Sequence, residues 1–213
     1  MEFEEKRLLM VKKQLEGRDI TDPGVLNAMR KVERHLFVPK SLRHKAYDDM
    51  ALGIGEGQTI SQPYMVAKMT GELELNDSCR VLEVGTGSGY QCAVLAELSE
   101  HVYSIERKPE LSARAGETLS MAGYDNVTLS VSDGTLGWPD KAPFDRILIT
   151  AAAPDVPETL LGQLAEGGVL LAPVGQMGSQ QLLKIKKAGG EIIREYGIFC
   201  VFVPLIGEYG FQE

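Results

Sequence analysis

Apolar and polar positions divide the chain into a helical opening, a run of buried strands and a strand-rich ending. Within residues 4–17, Leu8, Val11 and Leu15 fall at i, i+3 and i+7 with charges between them, which predicts an amphipathic helix stopped by Gly17. Asp22-Pro23 supplies a cap and a proline in the first helical position, opening a second helix with Val25, Leu26, Met29 and Val32 on its buried side. From Glu33 to Gly57 the periodicity breaks down. His35, Pro39, Tyr47-Asp-Asp49 and the glycines at 53, 55 and 57 predict an irregular, ordered cover of the kind used as an active-site wall. Pro63 then opens a helix reaching about Leu75, which the Ser61 hydroxyl or the Gln62 amide could cap.

Short apolar runs follow at 81–84, 102–105, 127–131, 144–150 and 168–174, with helix-compatible stretches at 91–98 and 157–164. Such runs read as strands buried on both faces of a parallel sheet. Small residues after the fourth run, 151–153, leave room for a ligand at a strand's carboxyl end. Residues 181–187, 191–198 and 200–205 read as further strands, joined by turns such as Ala188-Gly-Gly190. The expectation is an α/β fold in one domain, a doubly wound α/β/α sandwich with N-terminal helices and a β-rich C-terminal segment. Its parts are a cover at 1–78, a cofactor-binding core at 79–175 and C-terminal strands at 176–213.

The stretch Arg80-Val-Leu-Glu-Val-Gly-Thr-Gly-Ser-Gly-Tyr90 carries the chemistry. A strand feeding a glycine turn and then a helix brings backbone N–H groups up to a ligand. Gly85, Gly87 and Gly89 give G-x-G-x-G, and Tyr90 stands where a dinucleotide fingerprint needs its third glycine. No lysine follows, so a phosphate loop of the nucleoside triphosphatase kind fails too. Glu106, 21 residues after Gly85, ends the second run where a carboxylate can accept a ribose diol. Asp133, before Gly134, ends the third, where it could accept an adenine amine. Together these acids predict a nucleoside site, although each alone could be a turn or cap carboxylate.

Composition narrows the partners. The 213 residues are 44% hydrophobic, enough for one substantial core. A net charge of −8 without a lysine and arginine stripe argues against nucleic acid. Lys184, Lys186 and Lys187, the densest basic group, are expected on a solvated strand edge or turn. Cys79, Cys92 and Cys200 are odd in number and lack the close pairing of a zinc site, so no metal is expected and a reduced, cytoplasmic compartment fits. Acids occupy the first seven residues, where a signal peptide needs a basic and then an apolar run. The longest apolar stretches, such as 147–154, fall far short of the roughly 20 residues that cross a bilayer.

The chain resembles the protein-L-isoaspartate O-methyltransferase family over nearly its whole length. The glycine loop by itself resembles the first motif of the much larger Rossmann-like group that uses S-adenosyl-L-methionine (AdoMet). The narrower resemblance rests on Arg34-His-Leu-Phe-Val-Pro39, Ala46-Tyr-Asp-Asp-Met-Ala-Leu52, Ile54-Gly-Glu-Gly-Gln-Thr-Ile-Ser-Gln-Pro-Tyr64, Pro143-Phe-Asp145 with Thr150-Ala-Ala-Ala153, Pro173-Val-Gly175 and Phe202-Val-Pro-Leu205. Gly57-Gln-Thr-Ile-Ser-Gln-Pro63 is the most telling. The resemblance implies methyl transfer from AdoMet, leaving S-adenosyl-L-homocysteine, to the free α-carboxylate of L-isoaspartyl residues in damaged proteins and peptides. The ester then closes to a succinimide that partly reopens as aspartate.

Carried over residue by residue, the resemblance implies Ser61 as the active-site residue. Thr59, Ile60, Ser61, Glu83, Gly85, Gly87, Ser88, Glu106, Asp133 and Gly134 match the cofactor positions. Gln58, Thr59, Ser61, Val203, Pro204 and Leu205 match those holding the substrate, with Pro63 shaping the loop and residues 201–205 holding an extended backbone. It further implies an unusual order for the last two strands. Departures from the family pattern are Ser132, Glu33, Gly53, Val201 and Ile206; the last removes a hydroxyl, so Ile206 is left out of the polar site.

A carboxylate acceptor is already ionised at neutral pH and needs no general base. Consistent with that, His35, His44 and His101 lie outside the glycine loop and the strand ends, and the Asn-Pro-Pro-aromatic signature of amine methylation is absent. Isoaspartyl proteins are therefore the expected partners of a monomer that meets neither nucleic acid nor membrane. The runner-up is an AdoMet-dependent methyltransferase of a small molecule. A non-catalytic binding module would lack Ser61 or break the glycine loop.

Overall fold

The computed structural model describes residues 2–212, so the end points 1 and 213 of the expected single unit lie outside it. Helix α1 (Phe3–Met10) passes into a π-helical turn, Val11–Glu16, and Gly17 ends it. The π turn changes the predicted stripe. Each hydrogen bond there spans five residues instead of four, which brings Met10, Val11 and Leu15 into the core and leaves Leu8 47% exposed. Helix α2 (Pro23–Lys31) starts as predicted, with the Asp22 carboxylate accepting from Val25 N at 2.9 Å, and buries Val25, Leu26 and Met29; Val32, just beyond it, is buried too.

The cover at 33–57 holds two 3₁₀ turns, Arg34–Phe37 and Lys40–Lys45, and one element the pattern did not predict. This is an antiparallel hairpin of β1 (Leu52–Gly55) and β2 (Gln58–Ile60). Its two connecting residues, Glu56 and Gly57, both sit at positive φ (54° and 70°), as a tight right-twisted hairpin requires. Helix α3 (Pro63–Glu72) follows, capped by neither Ser61 nor Gln62; the Gln62 amide donates instead to Asp49 Oδ1 at 2.9 Å.

The predicted strands assemble into one sheet. β3 (Arg80–Val84), β4 (His101–Glu106), β5 (Val127–Val131), β6 (Phe144–Ile149) and β7 (Leu164–Gln176) are parallel; β8 (Ser179–Ala188) and β9 (Glu191–Cys200) run antiparallel to their neighbours. The order is β5-β4-β3-β6-β7-β8-β9. The chain winds outward from β3 to β5 and restarts at β6 on the other side of β3, so a crevice opens at the carboxyl ends of β3 and β6. Helices α4 (Tyr90–Ala96), α5 (Pro109–Met121) and α6 (Glu158–Gln163) complete the layers. One core cluster joins Val81, Val102 and Leu148 to residues of α2, α3 and α4; a second joins Leu82, Val84, Ile105 and Ile147 to Leu160 and Leu161 of α6. Burial on both faces is why these strands read as unbroken apolar runs.

Two expectations about the C-terminal third are corrected. Residues 200–205 do not form a strand beyond the end of β9 at Cys200. The chain leaves the sheet edge and crosses back over the strand ends, where an isolated bridge pairs Pro204 with Ala152. Ala152 N donates to Val203 O at 2.8 Å and Leu205 N donates to Ala152 O at 2.7 Å. Pro204 has no N–H to extend a ladder. The basic cluster on β8 is not on a solvated edge. Lys184 reaches Glu72 and Glu74 at 3.1 and 2.9 Å, Lys186 reaches Glu74 at 2.7 Å, and Lys187 donates to Leu164 O at 2.9 Å. These contacts join β8 to the end of α3 and the start of β7.

Candidate active site

The glycine loop takes its shape from neighbours that only glycine admits. Gly85 lies at φ +103°, and a Cβ there would sit 2.3 Å from Thr150 Oγ1, which binds back onto the Val84 and Gly85 carbonyls at 2.9 and 2.7 Å. At the end of β5 a Cβ on Gly134 would lie 2.5 Å from Val84 Cγ1. Glu106, at the end of β4, ties these parts together. Its Oε2 accepts from Gly87 N at 2.8 Å and its Oε1 from Lys108 N at 2.9 Å. Tyr90, which displaces a dinucleotide glycine, is fully buried with Arg34 stacked 4.8 Å from its ring centroid.

Above the loop lies a cleft that opens to solvent, with about 920 Å³ of non-atom space counting the solvent at its mouth. Gly85, Gly87, Ser88, Glu106 and Gly134 line it from the strand ends, Gln58, Thr59, Ile60 and Ser61 from β2 and the turn after it, and Val203, Pro204 and Leu205 from the crossing segment. Thus twelve of the fourteen expected site residues meet around one cleft although they come from distant parts of the chain. Its wall also contains Ala151 and Phe202, from the stretches 151–153 and 201–205 expected near a ligand, Ile206, left out of the polar site, and Val66, Met69, Val84, Thr86, Tyr90, Gln91, Ile105, Arg107, Lys108 and Thr150, which were not expected there. For Thr86, Tyr90 and Gln91 a signal was present, since they adjoin the glycines in sequence. Val66 and Met69 gave none, because one face of an amphipathic helix can serve a core or a cleft equally well.

Glu83 and Asp133 do not reach the cleft. The Glu83 carboxyl is wholly buried in β3, its Oε2 accepting from Ser104 Oγ at 2.5 Å while its Oε1 has no hydrogen-bond partner. Desolvation pushes it up to about 8, outweighing the hydrogen bonds from Ser104 and Cys92 that favour its charged form. Position along the strand explains the discrepancy: Glu83 lies one residue before the end of β3 and turns into the interior, towards Ser104 of β4 and Cys92 of α4. Asp133 is occupied as a cap. Its Oδ1 accepts from Thr135 N and Oγ1 at 2.8 and 2.7 Å, and its Oδ2 from Glu208 N at 2.7 Å. These bonds hold it below the usual carboxylate range despite desolvation. Asp133 therefore anchors the segment after Leu205 over the end of β5 instead of facing the cleft.

The Ser61 turn is held from beneath by Arg34, a residue to which the sequence pattern assigned no role. Arg34 is 0% exposed; its Nη2 donates to Ser61 O and its Nε to Ala46 O, each at 2.7 Å. Desolvation brings its guanidinium down to about 10. One buried fork thereby fixes the cover to the cleft.

Comparison with known proteins gives the same picture. Residues 4–210 match the family model for protein-L-isoaspartate(D-aspartate) O-methyltransferase. Protein-L-isoaspartate O-methyltransferase 1 of Syntrophobacter fumaroxidans is 53% identical over 211 residues, covering 99% of this chain and 98% of the relative. A protein-L-isoaspartate O-methyltransferase of Methanoculleus marisnigri is 53% identical over 204 residues, 95% of this chain and 92% of the relative. Among solved structures, a protein-L-isoaspartate O-methyltransferase superposes with a TM-score of 0.85 at 28% identity, covering 97% of this chain and 67% of that one. A Plasmodium falciparum chain assigned to the same activity, in complex with S-adenosyl-L-homocysteine, gives 0.81 at 27% identity over 94% and 98%. The cleft is thus carried on a Rossmann-like methyltransferase fold, and the chain belongs to the protein-L-isoaspartate(D-aspartate) O-methyltransferase family.

Proposed function

We propose that this protein is an AdoMet-dependent protein-L-isoaspartate O-methyltransferase that esterifies the free α-carboxylate of L-isoaspartyl residues in damaged proteins and peptides. The observation that carries the reading is the meeting, around one cleft, of the glycine loop, the Glu106 strand end, the Gln58–Ser61 turn and the crossing segment. The residues fit the cofactor: Gly85, Gly87 and Gly134 line the cleft without side chains, and Glu106 offers a carboxylate beside the loop. When bound, AdoMet supplies a methyl group on a sulfonium.

The protein's own part is alignment. Gly85, Gly87, Ser88, Glu106 and Gly134 form the cofactor side, and Thr59, Ile60 and Ser61 form the wall between donor and acceptor. Ser61, at a turn braced by Arg34, is positioned to orient the acceptor carboxylate, which arrives ionised and needs no base. Gln58, Val203, Pro204 and Leu205 flank the entrance for the substrate backbone. Glu83 and Asp133 act through other groups in this reading. Excluding water from carboxylate and sulfonium and holding them in line are worth several kcal/mol in favourable systems. We read residues 1–213 as one catalytic unit, a cytoplasmic monomer without a nucleic acid or membrane partner. The net charge of −8 supports the absence of a nucleic-acid partner, and among the described residues no helix is long and apolar enough to cross a membrane.

The test uses methyl-labelled AdoMet and two peptides that differ only in an L-isoaspartyl or L-aspartyl linkage. Base-labile label on the isoaspartyl peptide alone is the expected result, with Ser61→Ala reducing it. No label on either peptide while AdoMet binds would remove the assignment and favour a small-molecule acceptor.

A further inference from the structure

Between β3 and β4 a chain of buried polar groups runs from the glycine loop into the interior, and methyl transfer does not use it. Thr86 Oγ1 is 2.6 Å from Ser104 Oγ, and Ser104 Oγ is 2.5 Å from Glu83 Oε2. Ser104 and Glu83 are 0% exposed and Thr86 is 3% exposed, yet Thr86 lines the cleft. The other Glu83 oxygen has no hydrogen-bond partner. The titratable groups facing Glu83 are Glu106 of β4 and the Cys92 thiol of α4, whose own ionisation is pushed well up by burial and by Glu83. From β6 the residue in register is Leu148, which carries no charge. Among the described residues, the groups that act on this carboxyl include no cation.

Such a chain has two directions, because each hydroxyl has one hydrogen to donate. If Glu83 is ionised, Ser104 donates to it and Thr86 donates to Ser104, leaving only oxygen lone pairs of Thr86 towards the cleft. If Glu83 is protonated, its O–H donates to Ser104, Ser104 donates to Thr86, and the Thr86 hydrogen is left for the ligand. We infer that Glu83 is a neutral positioning residue whose proton, relayed through Ser104, turns the Thr86 hydroxyl into a hydrogen-bond donor at the floor of the cofactor site. A donor there suits the carboxylate of the cofactor's amino acid end; a lone pair would suit its ammonium group. The inference rests on the reading that the cleft takes AdoMet, and it assigns Glu83 a role without contact to that ligand. Burial, which holds the carboxyl up at about 8, keeps the donor direction in force at neutral pH.

The experiment is calorimetric binding of S-adenosyl-L-homocysteine by the full chain and by Glu83→Gln and Ser104→Ala, from pH 6.5 to 9.5. The ligand's own amino group titrates in this range, so the quantity read is the ratio of wild-type to variant dissociation constants at each pH. The amide introduced by Glu83→Gln donates permanently, so this variant is expected to match wild type at pH 6.5. By pH 9 wild type is expected to bind about tenfold more weakly than the variant, as the protonated fraction falls. Ser104→Ala, which cuts the relay without touching the cleft, is expected to bind several-fold more weakly at pH 6.5 and to follow the Glu83→Gln profile above it. Infrared difference spectra of wild type at pH 7 should show the carbonyl stretch of a protonated carboxyl group that Glu83→Gln lacks. A pH-independent ratio, a ratio showing wild type tightening with pH, or absence of that band would overturn the inference. If none of the proteins binds the ligand while all remain folded, the AdoMet reading itself fails, an outcome distinct from these.

Discussion

Replacing Arg34 with lysine tests whether the Ser61 turn is positioned from beneath. Arg34 spends Nε on Ala46 O and Nη2 on Ser61 O, each at 2.7 Å, and stacks over the Tyr90 ring. A lysine ammonium cannot fork to two carbonyls, so one acceptor is stranded in the interior. That costs about 1–3 kcal/mol, and weaker stacking adds on the order of 0.5–1 kcal/mol. Desolvation that already brings Arg34 down to about 10 acts on lysine with less resistance, so the charge itself is at risk. For a chain of this length a loss of about 1.5–4 kcal/mol lowers Tm by roughly 3–16 °C. Displacing the Ser61 carbonyl should also lower kcat/KM for an isoaspartyl peptide on the order of tenfold or more, because small misplacements in an aligned site are costly. Thermal unfolding and initial rates at a temperature well below both transitions give the two numbers separately. A lowered Tm with kcat/KM within twofold of wild type would refute the positioning argument and leave Arg34 as a brace for the cover alone.

Gly134→Ala places a methyl 2.5 Å from Val84 Cγ1 and should cost about 1–3 kcal/mol by overpacking; adding Val84→Ala should recover part of the Tm, and a fully additive double variant would contradict the clash. Asp133→Ala removes the acceptor for Glu208 N, so hydrogen exchange at 207–210 should accelerate while β3 stays protected; unchanged exchange there would mean the segment is held elsewhere. Hydrogen bonds from Lys184 and Lys186 bring Glu74 down to about 2, so its contribution is present above pH 4.5 and lost as pH falls towards 2. With its side chain 48% exposed, that contribution is under about 1 kcal/mol, and a stability difference from Glu74→Gln that ignores pH in this window would disprove it. Glu83 has the opposite sign: its raised carboxyl favours the fold below pH 4.5, and that advantage is lost as pH rises towards about 8. Glu83→Gln should therefore gain on wild type across this window, by about 3 kcal/mol at pH 7; parallel stability curves would count against a buried neutral acid.

The sequence alone determined the elements whose reasons are local. Asp22-Pro23 starts a helix because cap and first turn are adjacent in the chain, and four of the five apolar runs read as buried strands because both faces are covered, while β5, at the sheet edge, is only half-buried with Val131 exposed. The spacing of Gly85, Gly87 and Gly89 with Tyr90 after them excluded a dinucleotide site, and the loop around Ser61 carried the family resemblance. Tertiary structure decided what depends on groups distant in the chain. Five-residue hydrogen bonds at 11–16 moved a stripe that ordinary helical spacing had placed on Leu8. Pro204 returns from the β9 edge past β8 and β7 to Ala152, which no local pattern encodes. An acid at a strand end can face the cleft, cap a turn or point into the interior, and its neighbours in sequence are much the same in each case. Glu106 does the first, Asp133 the second and Glu83 the third, because the partners Gly87, Glu208 and Ser104 come within reach only once the sheet has formed.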